Sequence, residues 1–210
     1  MKISTLVYEN EFCANTHVLY LNEHEVVAFD LGQSTDSFSR YLKKRNLTLI
    51  AVFLTHGHFD HIRYIDKIDR NIPVYIHKDD VELISNAYKN CSVALDIPVE
   101  CKREVIPLED NDIVEIKDYK IKIINTPFHT NGSSVYLINN AALISGDTLF
   151  KGSIGRSDLP SSSPRLINSS LRKILDLYLK YGDMNVYPGH DENTTLKQEI
   201  ERNFYFKNIK

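Results

Sequence analysis

The order of apolar and polar positions predicts that strands and helices come in two successive sets along the chain. Runs rich in β-branched and aromatic residues predict three strands near the start, at 3–8, 15–21 and 25–31. The polar break "DLGQS" follows, and Ser34 is expected to cap a helix over 35–45. The nearly uniform apolar run "LIAVFLT" at 49–55 is typical of a strand that is buried on both faces.

The middle of the chain shows the same kinds of pattern, with one unclear stretch. Short amphipathic segments predict helices at 61–69 and 79–88, on either side of a strand at 72–77. The stretch 86–104 has no clear period. The second set then predicts five strands, at 112–116, 119–125, 134–139, 141–146 and 184–190.

Two helices belong to the second set. Apolar residues recur at helical spacing over 164–180, where Ser163 is expected to cap the helix, Pro164 to take its first turn and Gly182 to end it. A last helix is predicted over 194–206. Two sets of strands with helices beside them indicate an α/β fold in which two sheets stack between helices, a four-layer αββα sandwich. No Pro/Gly/Ser linker divides residues 1–210, so we expect a single domain.

Composition narrows the function. The chain has 210 residues, a hydrophobic share of 42%, and a net charge of −3, which gives no broad basic surface for nucleic acid. No apolar run is long enough for a signal peptide or a membrane span, so we expect no membrane partner. Cys13, Cys91 and Cys101 form no Cys-x-x-Cys pair and are expected to be reduced thiols, which indicates a cytoplasmic protein.

Histidines and aspartates cluster where predicted strands give way to loops. The segment "THGHFDH" at 55–61 directly follows a buried strand. Three further segments, "TPFHT", "SGDTLF" and "YPGHD", follow later strands in the same way. In α/β proteins such strand ends are where catalytic and binding groups gather. The candidate residues are His56, His58, Asp60, His61, His129, Asp147 and His190.

These seven residues divide naturally into two metal sites. Because alternate residues of an extended loop point the same way, one site can take His56 and His58, together with His129. Asp60 and His61 can face a second site with His190, and Asp147 can bridge the two. Imidazole and carboxylate without thiolate suit Zn²⁺, and also iron or manganese. Each ion would keep an open position, which is typical of a catalytic centre.

The motifs resemble those of the metallo-β-lactamase superfamily, in which they look like the full ligand set. Within it, "TPFHTNGSSVYL", "SGDTLF", "GSIGRSDLP" and "YPGHDENTTLKQEIERN" are similar to the glyoxalase II (hydroxyacylglutathione hydrolase) group, over about 12–204. Phe128 and Asn131 replace the usual Gly and Pro, and Asn203-Phe204 replaces Asn-Pro. The chain ends one helix after His190, so it resembles the short members without the C-terminal glutathione-binding extension.

The ligand set and the resemblance together imply a hydrolase with two Zn²⁺ ions. A metal-bridging hydroxide, ligated and oriented by Asp60, would attack a small-molecule thioester, such as S-lactoylglutathione or the thioester of another small thiol. The resemblance also implies that Asp30 holds the 56–61 loop from behind the ligands. Arg156 is a candidate for binding an anionic substrate, and a structural pair with Asp158 is the alternative.

Several alternatives stay open. The main one is a mononuclear iron persulfide dioxygenase of the same fold, whose relatives carry a similar Gly-Arg-[Ser/Thr]-Asp segment, typically followed by Phe where this chain has Leu159-Pro160. A β-lactamase is disfavoured because Asp147 occupies a position where those enzymes carry Cys or another residue. His17 and His24 are interpreted as structural or exposed, and His77 as a helix cap. The oligomeric state is not predicted by the sequence.

Overall fold

Two six-stranded sheets form the centre of the protein in the computed structural model, which describes residues 1–7, 13–32, 35–93, 98–207 and 209. The first sheet has its strands in chain order, antiparallel from β1 to β3 and parallel from β3 to β6. Its strands are β1 (Lys2–Leu6), β2 (Thr16–Tyr20), β3 (Glu25–Phe29), β4 (Thr48–Phe53), β5 (Val74–His77) and β6 (Ile106–Leu108).

The second sheet runs in the order β12-β11-β10-β9-β8-β7 and is antiparallel except for the β10–β11 pair. Its strands are β7 (Ile113–Ile116), β8 (Tyr119–Asn125), β9 (Ser134–Ile138), β10 (Ala142–Gly146), β11 (Asn185–Pro188) and β12 (Thr194–Thr195). The described helices are α1 (Thr35–Lys44), α2 (Phe59–Ile62), α3 (Ile167–Tyr181) and α4 (Leu196–Arg202). Among them we find none with the length and hydropathy to cross a membrane.

Three apolar clusters fill the three spaces between four layers. Strand β3 shows how: Val26 and Ala28 belong to the cluster that also holds Phe38 of α1, whereas Val27 and Phe29 belong to the cluster between the sheets. This division follows from the strand geometry, because successive side chains point to opposite faces. The third cluster packs α3 and α4 on the second sheet. The predicted αββα sandwich is therefore confirmed.

Two of the predicted helices are wrong in extent. The segment 79–88 forms 3-10 turns at Lys78–Asp80 and Leu83–Ser85 instead of one helix. The Asn86 side chain accepts hydrogen bonds from the backbone N–H groups of Tyr88 and Lys89, a local turn that competes with helix. The segment 61–69 contains only the end of the four-residue α2 and a 3-10 turn at Ile65–Lys67.

Smaller corrections concern element ends. The sequence missed β6, a three-residue edge strand with a proline at its centre. Ser163 makes no cap bond to the helix backbone, because its hydroxyl donates to Oδ1 of Asn131. Gly182 ends α3 with φ +79°, as predicted, whereas the last helix begins only at Leu196. Tyr8, the last residue of the first predicted strand, and Ser34 lie outside the described residues.

The candidate residues follow strands that end at one edge of the sandwich. Strands β3 and β4 are parallel, and so are β10 and β11, so the carboxyl ends of each pair lie side by side. At this edge the sheets also contact each other: Ser134 N donates to Thr55 O (2.9 Å), and the Tyr136 hydroxyl donates to Leu54 O (2.8 Å). The loops that carry the candidate residues therefore start from a fixed frame.

Candidate metal centre

All seven candidate ligands meet at this edge and form overlapping groups. In each group the ligand atoms lie within 4.8 Å of one another. The groups are His56, His58 and His129; His56, His61 and Asp147; and Asp60, His61 and His190. Three of the seven side chains come from loops of the second sheet and four from the loop after β4. The centre thus lies between the two sheets.

The first group places three imidazole nitrogens around one point. Nδ1 of His58 lies 3.1 Å from Nε2 of His56 and 2.9 Å from Nε2 of His129. Nδ1 of His129 donates to the carbonyl oxygen of Arg156 (2.7 Å), so the Nε2 lone pair faces the centre. Nε2 of His58 lies 3.1 Å from the Ser161 hydroxyl. The rings are therefore oriented by their outer nitrogens, as in metal sites.

We call His56, His58 and His129 the first group, and Asp60, His61, Asp147 and His190 the second group. The second group joins two carboxylates to two imidazoles. Nε2 of His190 lies 3.1 Å from Oδ2 of Asp60, and Nε2 of His61 lies 3.3 Å from Oδ1 of Asp147. The other oxygen of Asp147, Oδ2, lies 3.4 Å from Nε2 of His129 in the first group. Asp147 thus touches both groups, which is the position that a bridging ligand requires.

Two buried atoms of this centre indicate that a cation fits here. Nε2 of His61 and Oδ1 of Asp147 are buried and lie 3.3 Å apart, and among the described residues neither makes a hydrogen bond of good geometry. Such orphaned groups call for a ligand, because an unsatisfied buried polar atom is costly. A metal ion coordinated by both satisfies them, and imidazole with carboxylate is the donor set of zinc and iron.

The electrostatics of the centre also favour a bound cation. Burial, reinforced by neighbouring histidines, lowers the pKa of His56 well below its ordinary value and that of His58 to about 3. Both rings are therefore neutral and can offer a nitrogen lone pair to a metal ion. Burial would also lower the pKa of His61, but the carboxylates of Asp30, Asp60 and Asp147 raise it well above the ordinary value. This second half of the centre is therefore a site of negative potential, where a cation is favoured.

Asp30, which the resemblance implies holds the 56–61 loop, contacts the second group and Thr55. Its Oδ2 lies 2.8 Å from Nδ1 of His61, and both oxygens accept from Thr55, at the backbone N–H and the hydroxyl (2.8 Å each). The Thr55 hydroxyl also lies 3.1 Å from Nδ1 of His56. Asp30 adopts a left-handed backbone (φ +56°), an unfavourable conformation that this network holds in place.

Asp80 is a positioning residue that the sequence did not reveal. Its fully buried carboxylate accepts from the backbone N–H of Gly57 (2.9 Å), the Thr130 hydroxyl (2.7 Å) and the N–H of Gly132 (2.7 Å). Gly57 lies between His56 and His58, and Thr130 follows His129. Asp80 therefore ties together the two loops that supply the first group.

The loop that carries His190 is held by Asn15 and by His17 of β2. The Asn15 side-chain amide donates to the carbonyl oxygens of Pro188 and Asp191 (3.1 Å each), and Nε2 of His17 donates to Pro188 O (2.9 Å). A Cβ at Gly189 would lie 2.2 Å from Oδ1 of Asp147, so only glycine lets this loop approach the centre.

The remaining histidines lie away from the centre. His17 is buried against Pro188 and Tyr187, and His24 is exposed with a contact to Asn46 O. His77 accepts from the backbone N–H of Asp79 (3.3 Å) at the start of a 3-10 turn, so its predicted role as a cap is confirmed.

A cleft of about 590 Å³ opens over the centre. It is lined by His58, Phe59, Asp60, Cys91, His129, Asp147, Phe150, Arg156, Leu159 and His190. Arg156 forms a two-pronged ion pair in which Nε donates to Oδ1 of Asp158 (2.7 Å) and Nη2 to Oδ2 (2.9 Å). This is the structural pair with Asp158 that was the alternative role of Arg156. Both side chains are exposed.

Known proteins resemble the chain along nearly its whole length. Residues 14–190 match the model of the metallo-beta-lactamase superfamily. A probable metallo-hydrolase of Bacillus subtilis, YqgX, is 33% identical over 194 residues, which cover 90% of this chain and 90% of the relative.

Two solved structures are similar over their entire lengths. BLEG-1 B3 metallo-beta-lactamase superposes with a TM-score of 0.89 at 31% identity, covering 99% of this chain and 100% of the other. TTHA1623 in a di-iron-bound form superposes with a TM-score of 0.82 at 28% identity, covering 98% and 100%.

Proposed function

Because this chain belongs to the metallo-β-lactamase superfamily, we propose that its seven-residue centre is that of a dinuclear metal-dependent hydrolase acting on thioesters. The observation that carries the proposal is Asp147, whose carboxylate lies within 3.7 Å of His61 and His190 on one side and of His129 on the other. A bridging carboxylate between two sets of open-sided ligands is typical of a two-metal hydrolytic centre.

His56, His58 and His129 would hold one ion, and Asp60, His61 and His190 the other, with Asp147 shared. When bound, such ions supply Lewis acidity and make a water molecule acidic enough to ionise near neutral pH. Zinc suits this donor set, and the di-iron form of the similar TTHA1623 supports iron as a second candidate.

The chain's own residues position the donor atoms and the attacking water. The outer nitrogens of His61 and His129 are fixed by Asp30 and by the Arg156 carbonyl, so their inner nitrogens stay aimed at the centre. Asp60 is in contact with both His61 and His190 and faces the cleft, where it can orient the attacking water. Burial raises the pKa of the Cys91 thiol in the cleft wall, so this cysteine stays protonated and is a poor nucleophile.

A thioester is the favoured substrate because of the segments around the ligands. The glyoxalase II-like motifs "TPFHTNGSSVYL" and "SGDTLF" supply His129 and Asp147. S-lactoylglutathione or the thioester of another small thiol is therefore the substrate class we propose. The three cysteines are free, which supports a cytoplasmic location, where small thiols are reduced.

β-Lactam hydrolysis is a second candidate, favoured by the 31% identity and TM-score of 0.89 to BLEG-1 B3 metallo-beta-lactamase. Both reactions are attack of water on an acyl carbon, so the same centre serves either. The iron-dependent oxidation of a persulfide is the alternative from another reaction class.

One comparison separates the three. Protein loaded with zinc and protein loaded with iron are each given S-lactoylglutathione, a penicillin and glutathione persulfide, with release of thiol, opening of the lactam and oxygen uptake recorded. We expect thiol release with metal-loaded protein and its loss after chelation. Lactam opening without thiol release would favour the second candidate, and oxygen uptake with iron alone would favour the dioxygenase.

A further inference from the structure

The residues that line the cleft indicate which chemical groups next to the thioester bond would bind there. Apart from the ligand residues, the described wall consists of Phe59, Cys91, Phe150, Leu159 and Arg156. The Phe150 ring stands edge-on to His190, with centroids 6.0 Å apart, so an apolar surface lies beside the ligands of the second group. Phe59, Phe150 and Leu159 are half-buried, and an apolar group entering the cleft would cover them further.

Arg156 is the one cation among the described residues that line the cleft. Its Nε and Nη2 atoms donate to the carboxylate of Asp158, so the charge of Asp158 balances that of the guanidinium. A guanidinium recognises an incoming carboxylate through two parallel hydrogen bonds, and the charge of Asp158 opposes the approach of such an anion to Arg156. The Arg156 carbonyl is bonded to His129, which fixes the backbone of this segment beside the cleft.

From this arrangement we propose that the cleft selects thioesters whose acyl group is uncharged and ends in an apolar group, as the lactoyl group does, and that Asp158 enforces the choice by offsetting the charge of Arg156. The inference rests on the proposed function and names the acyl class. Each methylene buried against the wall should raise kcat/KM about fourfold, the equivalent of about 0.8 kcal/mol. Because an exposed ion pair is weak, its displacement should cost an anionic substrate a factor of about two to five.

A matched pair of substrates tests this selection. Butyryl and succinyl thioesters of N-acetylcysteamine have nearly the same length but end in a methyl group and a carboxylate, respectively. With zinc-loaded protein we expect kcat/KM to be at least about tenfold higher for the butyryl ester, since it keeps the hydrophobic gain and avoids the competition. Equal values, or a preference for the succinyl ester, would overturn the proposal.

Three variants assign the effect to residues. Asp158→Asn removes the competing charge and should lower the butyryl-to-succinyl ratio about two- to fivefold. Adding Arg156→Gln to that variant should restore the ratio. Asp176→Asn is the matched control, because it removes the carboxylate of another exposed arginine pair, with Arg172 on α3, and should not move the ratio. An unchanged butyryl-to-succinyl ratio in Asp158→Asn would contradict the role of Asp158.

A binding measurement keeps this inference separate from the proposed function. Ketone analogues of the two esters, with a methylene in place of sulfur, cannot be hydrolysed, and their affinities are measured by calorimetry on the zinc-loaded protein. Preference for the butyryl analogue without turnover of either ester would sustain the selectivity and refute the thioesterase. Turnover of both esters with equal analogue affinities would sustain the thioesterase and refute the selectivity.

Discussion

Asp30 and Asp80 lie outside the ligand set and support different halves of it. Asp30 contacts His61 of the second group, whereas Asp80 bonds the loops on both sides of the first group. The seven candidate ligands could be proposed from the sequence because they stand in short motifs behind apolar strands. Asp80 could not, because its partners at Gly57, Thr130 and Gly132 are 23, 50 and 52 positions away, and nothing local in "HKDD" distinguishes it.

The substitution Asp80→Asn should weaken one metal site and spare the other. The amide cannot accept all three bonds, so the loops of His58 and His129 lose their common anchor. Loss of such outer support typically lowers metal affinity about 10- to 100-fold. Calorimetric zinc titration of the metal-free protein should show one weakened and one normal site. Asp79→Asn, a neighbouring exposed carboxylate, is the control, and equal weakening of both sites would contradict the division.

Removal of a ligand should have a sharper effect. His58→Ala and His190→Ala should each bind about one metal ion per chain fewer than the wild type after metal-replete expression, because each removes a donor from a different group. His77→Ala should keep the full content, since His77 only caps a 3-10 turn. Metal analysis of the three purified variants checks this, and metal loss in His77→Ala as severe as in His58→Ala would show that the ligands are wrongly assigned.

Strand ends determine where the candidate ligands lie, and short irregular segments hold those residues in place. The periodicity of the sequence predicted the strands that carry the ligands. It predicted a helix at 79–88, where the chain instead turns so that the Asp80 carboxylate reaches two ligand loops. The local preference of residues 79–88 for helix does not depend on hydrogen bonds to distant residues, so the prediction of a helix there was wrong.

Strand β2 provides a pH-dependent link to the His190 loop through His17. Burial lowers the pKa of His17 to about 4, although its bond to Pro188 O opposes the shift. The unfolded chain binds this proton near pH 6.5, so the contribution is present above 6.5 and is lost as pH falls towards 4. Across this window the wild type should lose about 1.4 kcal/mol of unfolding free energy per pH unit from this group alone.

The comparison that isolates this effect uses His17→Gln, which keeps a donor for Pro188 O but does not titrate. Urea unfolding of both proteins in metal-free form is followed between pH 6.5 and 4. The two proteins share all other titratable groups. As pH falls, the unfolding free energy of the variant should therefore decrease less than that of the wild type. Parallel pH profiles would mean that His17 is not held neutral by the fold.

For the whole molecule, the centre lies between the sheets and should act as a cross-link between them. His56, His58, Asp60 and His61 follow the first sheet, whereas His129 and the two later ligands follow the second. The pattern of the sequence predicted the four layers but not the order of the strands, because pairing such as β10 with β11 joins segments about forty residues apart. For the same reason, the sequence alone does not show that the loops of the first sheet and those of the second sheet meet at one centre.

Metal removal should therefore lower the stability of the whole protein. Each site adds about 2.7 kcal/mol when free zinc is about 100 times its Kd. For a chain of this size we expect a rise in Tm of roughly 5–10 °C per occupied site. Calorimetric scans with chelator and with zinc measure the effect. His24→Ala, at an exposed histidine away from the centre, should show the same rise, and an equal Tm with and without zinc would exclude a cross-linking centre.

Thioester hydrolysis by two metal ions acting together can be measured by adding zinc stepwise to the metal-free protein and recording the rate of S-lactoylglutathione hydrolysis at each step. We expect the rate to rise until about two zinc ions are bound per chain, since Asp147 would be shared by both ions. A full rate at about one ion per chain, or no hydrolysis at any zinc content, would contradict this expectation.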